Sequence, residues 1–304
     1  MSVLVDLAFP IHLCILIHTI DGTRVLGTHE MDWRKAAIYG EKFIHRLEFL
    51  DIFNPDIVIG IIEARLDLQA LSEIFLAQDQ LKYQVEQSIS KQKEAERVFF
   101  VFAREWWSDY LNIRDTHESR LVKLFANYEG GKKVLISKLL LPITSEFIQT
   151  PRHAARFVSL LKKESVGPVG ENVKSEVWMN PHTFLSCRKG DVQDHAVLLC
   201  SFLLGFYLDA YVTLGTDMND NSQVWVTSIE EESQVRFWDA VSGKSYLTTD
   251  EHPFKTIGSC FNQHNFYGNA QKRDFVDELL FEFSDSRMWK TISFDKFKPA
   301  HLYF

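Results

Sequence analysis

The first part of the chain alternates apolar and polar positions in the manner of β-strands. Two apolar runs, residues 10–19 and 23–33, flank Ile20-Asp21-Gly22. An Asp-Gly pair between such runs predicts a β-hairpin. Residues 56–68 are rich in β-branched side chains and alternate at their end, with Ile62 on the apolar side, which predicts a strand with one solvated face. Residues 1–69 are therefore predicted to form part of a small β domain.

The period changes after residue 70. Apolar side chains in residues 71–112 recur at helical spacing, with a polar stretch between them. This pattern predicts one long helix, with a break near residue 95 as the alternative. We assign residues 70–118 to a helical connector and residues 119–304 to a second domain. Within the latter we expect a hairpin in residues 120–142.

Residues 189–206, KGDVQDHAVLLCSFLLGF, predict a helix with both ends marked. Gly190 interrupts the chain before it, Asp191 can cap its N-terminus, and Asp194 adds charge to its first turn. Gly205 is expected to end it in a left-handed cap. A second helix is expected to begin at Thr150-Pro151, with proline at its first position. The helix predicted in residues 189–206 is followed by three strand patterns, at residues 209–216, 222–229 and 234–243.

Composition narrows the class of protein. The 304 residues carry a net charge of −8 and no long basic block, which argues against a nucleic-acid surface because neutralising phosphates takes clustered Lys and Arg. The apolar run of residues 196–208 is too short for a membrane span, which needs about 20 residues. Neither a dinucleotide-binding glycine motif nor a phosphate loop occurs, so no cofactor is predicted.

Metal sites find little support in the residue spacing. The four cysteines, at 14, 187, 200 and 260, show no paired zinc spacing. His12 and His18 alternate on one predicted strand without a third ligand in view. Asp51 and Asp56 resemble isolated calcium ligands, but such a site needs several carboxylates around the ion. No metal site is predicted.

Three motifs carry a resemblance to a known family. They are Gly190-Asp191-x-x-Asp194-His195-Ala196 at the helix start, Val224-Trp225-Val226 on the second strand, and Phe237-Trp238-Asp239-Ala240 on the third. Their order resembles the transglutaminase-like branch of papain-fold proteins. In that family a cysteine nucleophile, a histidine base and an orienting acid form the triad.

Position by position, the resemblance implies a degenerate triad. The cysteine position is Val192, the histidine position is Gln223, and the acid position is Asp239. Valine has no nucleophile, and glutamine cannot act as a general base near neutral pH. The resemblance therefore implies a pseudoenzyme whose three positions converge, with Gln223 and Asp239 on adjacent strands facing Val192.

Further motifs between about residues 8 and 297, such as Arg104-Glu105-Trp106-Trp107, resemble a family of centrosomal proteins. In that family a C2-type domain precedes a transglutaminase-like domain. The implied fold class is α+β: a partial C2-like antiparallel β domain, a long helix, and a transglutaminase-like, papain-fold domain. The implied function is a cytoplasmic scaffold at the centrosome, centriole or ciliary base, active in control of centriole duplication, with other centrosomal or ciliary proteins as partners.

Two alternatives stay open at this point. In one, the former cleft serves as a groove for a peptide ligand. Its candidate lining residues are Trp178, Asp194, His195, Trp225 and Trp238, although such tryptophans more often belong to the core and such a histidine more often hydrogen-bonds its neighbours. In the other, a residual cysteine peptidase or transglutaminase activity survives through Cys187 or Cys200.

Overall fold

The computed structural model describes residues 10–20, 22–39, 44–51, 56–66, 78–131, 133–164, 176–230 and 234–294. These residues divide into two compact units, one within residues 1–102 and one within residues 103–295. Helices and two antiparallel main sheets occur together, so the coarse α+β class is as predicted.

The first unit contains a four-stranded sheet in the order β1-β2-β3-β4. Its elements are β1 (Ile11–Thr19), β2 (Gly22–Met31), the short helix α1 (Arg34–Tyr39), β3 (Ile44–Leu50) and β4 (Val58–Arg65). Strands β1 and β2 pair antiparallel up to Thr19 opposite Gly22, which confirms the predicted hairpin; Asp21 itself lies outside the described residues.

The small core of this sheet corrects one detail of the alternation. Met31, Leu47 and Phe49 form its buried centre, and Ala64 packs against them as predicted. Ile62 does not, because its side chain is 43% exposed. The alternation at the end of β4 therefore marks the buried face only in part.

The long helix α2 (Gln78–Leu111) runs for 34 residues without interruption, so the alternative of a break near residue 95 is wrong. Phe99, Ala103, Trp106 and Tyr110 are all buried and recur at intervals of four, three and four residues. This spacing puts them on one helix face. In the second unit, the hydroxyl of Tyr110 donates to the carbonyl oxygen of Asn269 at 2.9 Å.

The second unit is built on a seven-stranded antiparallel sheet in the order β12-β11-β10-β9-β13-β14-β15. Its strands are β9 (Asp209–Asp217), β10 (Ser222–Ile229), β11 (Val235–Asp239), β12 (Lys244–Leu247), β13 (Phe254–Phe261), β14 (Asn265–Asn269) and β15 (Trp289–Ser293). The three strand patterns that follow the apolar helix in the sequence thus become neighbours, β9, β10 and β11, through ladders on both sides of β10.

Shorter elements surround this sheet. They are the hairpin β5 (Phe125–Asn127) and β6 (Lys133–Leu135), the helix α3 (Pro151–Ser159), the helix α4 (Pro181–Cys187), and the two-residue parallel pair β7 (Lys162–Lys163) and β8 (Lys189–Gly190). The hairpin and the helix at Thr150 are as predicted: the Thr150 hydroxyl accepts from the His153 amide at 3.1 Å and caps α3.

The helix α5 (Val192–Gly205) occupies the predicted apolar stretch, but its C-terminus differs from the expectation. Gly205 is the last helical residue, and the positive φ falls on Tyr207, at 61°. Gly205 serves close packing instead, because a Cβ there would collide with the backbone carbonyl of Ile143. The Ile143 amide in turn donates to the Ser201 carbonyl at 2.9 Å.

Helix α5 is the central helix of the second unit. Every residue from Val192 to Leu204 is buried. The helix packs on β9, β10 and α3. No helix among the described residues is both long and apolar enough to cross a membrane.

The close approach at Gly205 gives a stability prediction. In Gly205→Ala the added methyl group meets the Ile143 backbone, which cannot rotate away, so we expect a loss of about 1–3 kcal/mol in the free energy of unfolding. Ser201→Ala, one turn earlier in the same helix, is the matched control, because the buried Ser201 hydroxyl has no hydrogen-bond partner in the described structure. Urea denaturation should show a neutral or stabilising effect for the control. Equal losses in both variants would contradict the packing role of Gly205.

Candidate functional site

The N-terminus of α5, where the resemblance places a nucleophile, is closed by a capping box. The Asp191 carboxylate accepts from the Val192 amide at 2.8 Å, and Asp194 accepts from the Asp191 amide at 2.9 Å. Val192 is the first helical residue, as predicted, and only 5% of it is exposed. The amides of Asp191 and Val192 are thus bonded to carboxylates of the chain itself.

Glu129 is a second buried carboxylate close to Asp194. The other oxygen of Asp194 accepts from the Met179 amide at 2.9 Å. Glu129 accepts from the Asn180 amide at 2.6 Å and from the Thr183 hydroxyl at 3.0 Å. Burial, together with the nearby charges of Asp191 and Glu129, raises the pKa of Asp194 to about 7, although its two amide donors oppose this.

His195 ties this helix start to the end of α3. Its Nδ1 lies 2.7 Å from the Asp191 carbonyl oxygen and its Nε2 lies 3.2 Å from the Leu161 carbonyl oxygen. The ring edge packs on Phe184, with centroids 4.7 Å apart. With both nitrogens directed at carbonyl oxygens and no exposed surface, His195 is placed to hold the backbone and has no surface that a substrate could contact.

The seven-stranded sheet has two faces with different roles. One face, here the aromatic face, carries a cluster that includes Trp225, Phe237 and Ile257 and to which no residue of α5 belongs. The opposite face, here the helix face, carries Val226, which pairs with Trp238 on β11. Since α5 packs on β9 and β10 but is absent from the aromatic cluster, it covers the helix face.

This division decides where Gln223 lies. Gln223 pairs with Gly215, which also pairs with Ile257 of the aromatic cluster. Because paired residues share a face and successive residues alternate, Gln223 belongs to the aromatic face. Gln223 therefore lies on the face of the sheet opposite to the one that α5 covers. Val224 is the neighbour of Gln223 that faces α5.

Asp239 stands at the end of β11, next to β10 as predicted, but its carboxylate is engaged in a turn. One oxygen accepts from the amides of Val241 and Ser242 at 3.0 and 3.2 Å, and the other accepts from the Ser242 hydroxyl at 2.6 Å. The turn closes at Gly243, whose φ is 71°. The acid of the implied triad thus orients its own loop.

The tryptophans expected to line a groove are core residues. Trp178 and Trp225 have no exposed surface, and Trp238 has 3%. The indole of Trp178 donates to Glu176 at 2.9 Å, and that of Trp238 donates to the Ser228 hydroxyl at 2.8 Å. Asp194 is 3% exposed. None of the candidate groove residues therefore presents a surface to a ligand in this structure.

Two of the buried cysteines, Cys200 and Cys260, are poor nucleophiles. Cys187, Cys200 and Cys260 are buried and free of disulfides. Burial, and secondarily the charge of Asp209, raises the pKa of the Cys200 thiol well above its ordinary value. Burial likewise raises the pKa of Cys260 to about 12. A thiol in such surroundings stays protonated and inert near neutral pH.

For metals, the residues that the structure describes contain no group of three or more His, Cys, Asp or Glu side chains arranged to hold an ion. His18 of the considered pair instead has its Nδ1 2.9 Å from the Thr23 hydroxyl.

The sequence of this chain is similar to those of known proteins. Residues 176–292 match the family model of the CEP76 peptidase-like domain. The chain is also 34% identical to the centrosomal protein of 76 kDa of Xenopus tropicalis and 32% identical to that of Homo sapiens. Each alignment covers 98% of this chain. The predicted resemblance to this centrosomal family is confirmed. The chain spans about half the length of these relatives, 48% in both cases.

Among solved structures, Legionella pneumophila LapG aligns with 59% of the chain and 84% of its own length, at 15% identity. Its TM-score of 0.34 is too low to support a conclusion about fold or activity.

The second unit also contains charged residues that sequence reasoning missed. Glu129 appeared only as part of a hairpin turn, and the buried ion pair of Lys123 with Glu176, at 2.6 Å, carried no local signal. Both depend on segments distant in sequence. Only an alignment of relatives, through paired changes, could have indicated them from sequence.

The buried carboxylate gives a pH prediction. Because the pKa of Asp194 is raised on folding, the folded state binds more protons than the unfolded chain between about pH 4 and about pH 7. The contribution of Asp194 to the free energy of unfolding should therefore fall as the pH rises through that window. Asp194→Asn removes this slope, so its deficit relative to the unchanged chain should be largest in acid.

Asp217→Asn is the control with the opposite sign. Burial is outweighed there by amide donors at Asn221 and Asn219, so the pKa of Asp217 is lowered and its contribution is lost as the pH falls. Urea denaturation from about pH 3.5 to about pH 8 separates the two. Parallel curves for the unchanged chain and Asp194→Asn would show that Asp194 titrates normally.

Proposed function

We propose that this chain is a non-catalytic scaffold or interaction protein of the centrosome or ciliary base, by resemblance involved in control of centriole duplication. The similarity to centrosomal proteins over nearly the whole chain supports the location. Its partners would be other centrosomal or ciliary proteins. The domain layout belongs to the same proposal: a partial C2-like domain in residues 1–69, a connector in residues 70–118, and a transglutaminase-like domain in residues 119–304.

The observation that carries the non-catalytic part is the closed start of α5. A buried valine occupies the nucleophile position, and the amides beside it are held by Asp191 and Asp194. Acyl transfer needs both a nucleophile and a base within hydrogen-bond reach, about 3 Å. Here the first is absent, and the residue at the base position, Gln223, lies on the other face of the sheet.

The loss of catalytic rate is expected to be large. Removing a triad member typically costs several orders of magnitude in rate, and the remainder comes from binding and oxyanion contacts. Those contacts need donors pointing at an open position. The capping box consumes such donors, so little residual catalysis is expected.

An activity assay tests this. We expect no peptide cleavage or transamidation by the purified chain, and none by Val192→Cys, because a thiol there has no base beside it. Val192→Cys with Gln223→His should stay inactive as well, since the imidazole would emerge on the aromatic face. Turnover is followed with fluorogenic peptide and amine-incorporation substrates.

Thiol labelling provides the control for this assay. Val192→Cys should react slowly with iodoacetamide because the position is buried, whereas Ser186→Cys, at an exposed position of α4, should react quickly. Turnover by the unchanged chain would refute the proposal. If Cys187→Ala or Cys200→Ala abolished that turnover, the nucleophile would be identified.

Location is tested with a fluorescent fusion of the full chain in ciliated cells. We expect a focus that coincides with a centriole marker, because similarity to the centrosomal proteins covers nearly all of this chain. The unfused fluorescent protein is the control. A diffuse distribution equal to that of the control would contradict the proposed location.

A further inference from the structure

Two basic dipeptides distant in sequence meet at the parallel pair β7 and β8. The Lys162 amide donates to the Arg188 carbonyl at 2.9 Å, and the Glu164 amide donates to the Gly190 carbonyl at 2.8 Å. This register sets Lys162 beside Lys189. We call the four side chains of Lys162, Lys163, Arg188 and Lys189 the basic ladder.

The basic ladder is largely unneutralised. Lys162, Lys163 and Arg188 are exposed. Among the residues that the structure describes, these three have no ion-pair partner, whereas Lys189 contacts Glu164 at 2.6 Å. The preceding helix α3 carries two more exposed cations, Arg152 and Arg156. This concentration stands out in a chain whose net charge is −8.

The backbone beneath the basic ladder is firmly positioned. Leu161, just before β7, has its carbonyl oxygen 3.2 Å from the His195 ring. Arg188 adopts a left-handed conformation with φ 57°, and a Cβ on Gly190 would collide with Phe184. The register therefore holds the like charges of Lys162 and Lys189 side by side, where they repel, while Lys163 turns to the other side of the pair because successive strand residues alternate. Binding an anionic partner would relieve that repulsion.

We propose that the basic ladder binds an acidic peptide segment of a partner protein. Paired strands lie about 4.8 Å apart, and alternate residues of an extended chain repeat at about 6.6 Å. Closely spaced Glu or Asp side chains on an extended peptide can meet cations at these separations. The proposal rests on the proposed scaffold role, to which it adds the chemistry of the partner.

Other polyanions fit the site less well. A membrane or a long nucleic acid extends far beyond the basic ladder and would approach the acidic remainder of the chain, and screening weakens that repulsion only beyond about 8 Å. Basic clusters that recognise lipid commonly lie next to a membrane span or on an amphipathic helix, whereas the basic ladder lies at two short strands. A short peptide can contact the basic ladder alone.

The test uses a fluorescein-labelled oligoglutamate peptide and the full chain, with binding followed by anisotropy. We expect saturable binding that weakens as salt rises from about 50 to about 200 mM, because the contacts are ionic. Lys162→Gln with Lys163→Gln should weaken binding about tenfold, since charge-assisted contacts are lost. Arg188→Gln is a second, independent variant in the same cluster.

The matched control is Lys133→Gln with Lys272→Gln, which makes the same change in net charge at exposed lysines elsewhere on this unit. We expect the control to bind within about twofold of the unchanged chain. Thermal unfolding curves confirm that all variants fold. Three results would overturn the proposal: no binding at low salt, equal weakening by both lysine pairs, or tighter binding of phosphatidylserine vesicles or an oligonucleotide than of the peptide.

The outcome of the peptide-binding test can be separated from that of the activity assay. A chain that binds oligoglutamate and also turns over substrate would leave the basic ladder standing while refuting the non-catalytic role. A chain that does neither would leave the non-catalytic role standing and remove the acidic partner.

Discussion

The constraint on which the second unit depends is the burial of α5 from Val192 to Leu204. A helix leaves four amides and four carbonyls without intrahelical partners at its termini, and a buried end must find partners within the protein. The capping box of Asp191 and Asp194 meets this need at the start. Near the other end, the Ile143 amide pairs with a helix carbonyl and its backbone packs where Gly205 has no side chain.

The same constraint bears on function. A cysteine enzyme of the transglutaminase-like family, which the motifs of this chain resemble, uses the helix start to stabilise a thiolate and to approach a substrate. Both roles require an accessible position. Here the start is buried beneath residues 179–180 and the segment after α3, and its donors are consumed by carboxylates. In this chain the amides of Asp191 and Val192 are bonded to carboxylates, which stabilises the start of the helix.

Burial of the helix also shapes the charge distribution. Carboxylates that cap and support α5 lie inside, while the strands that hold its start in place, β7 and β8, carry the lysines and an arginine on the surface. The second unit therefore carries an internal group of carboxylates and, on its surface, a separate group of basic residues.

The sequence by itself determined the local elements, because their signals are local. Asp-Gly fixed the first hairpin, Thr-Pro opened α3, and Asp191 with Asp194 marked the start of α5. The order of helix and strands, and the absence of a nucleophile at Val192, also followed from residue types. The resemblance to a centrosomal family likewise needed only the ordered motifs.

Tertiary structure alone decided what depends on faces and on distant partners. The face of Gln223 follows from a ladder through Gly215 to Ile257, and the burial of three tryptophans follows from layers that no local period encodes. Gly205 looked like a left-handed cap because its partner, Ile143, is 62 residues away. Lys162 and Lys189 become neighbours only because two short strands pair, since contacts between remote segments depend on packing of the whole unit.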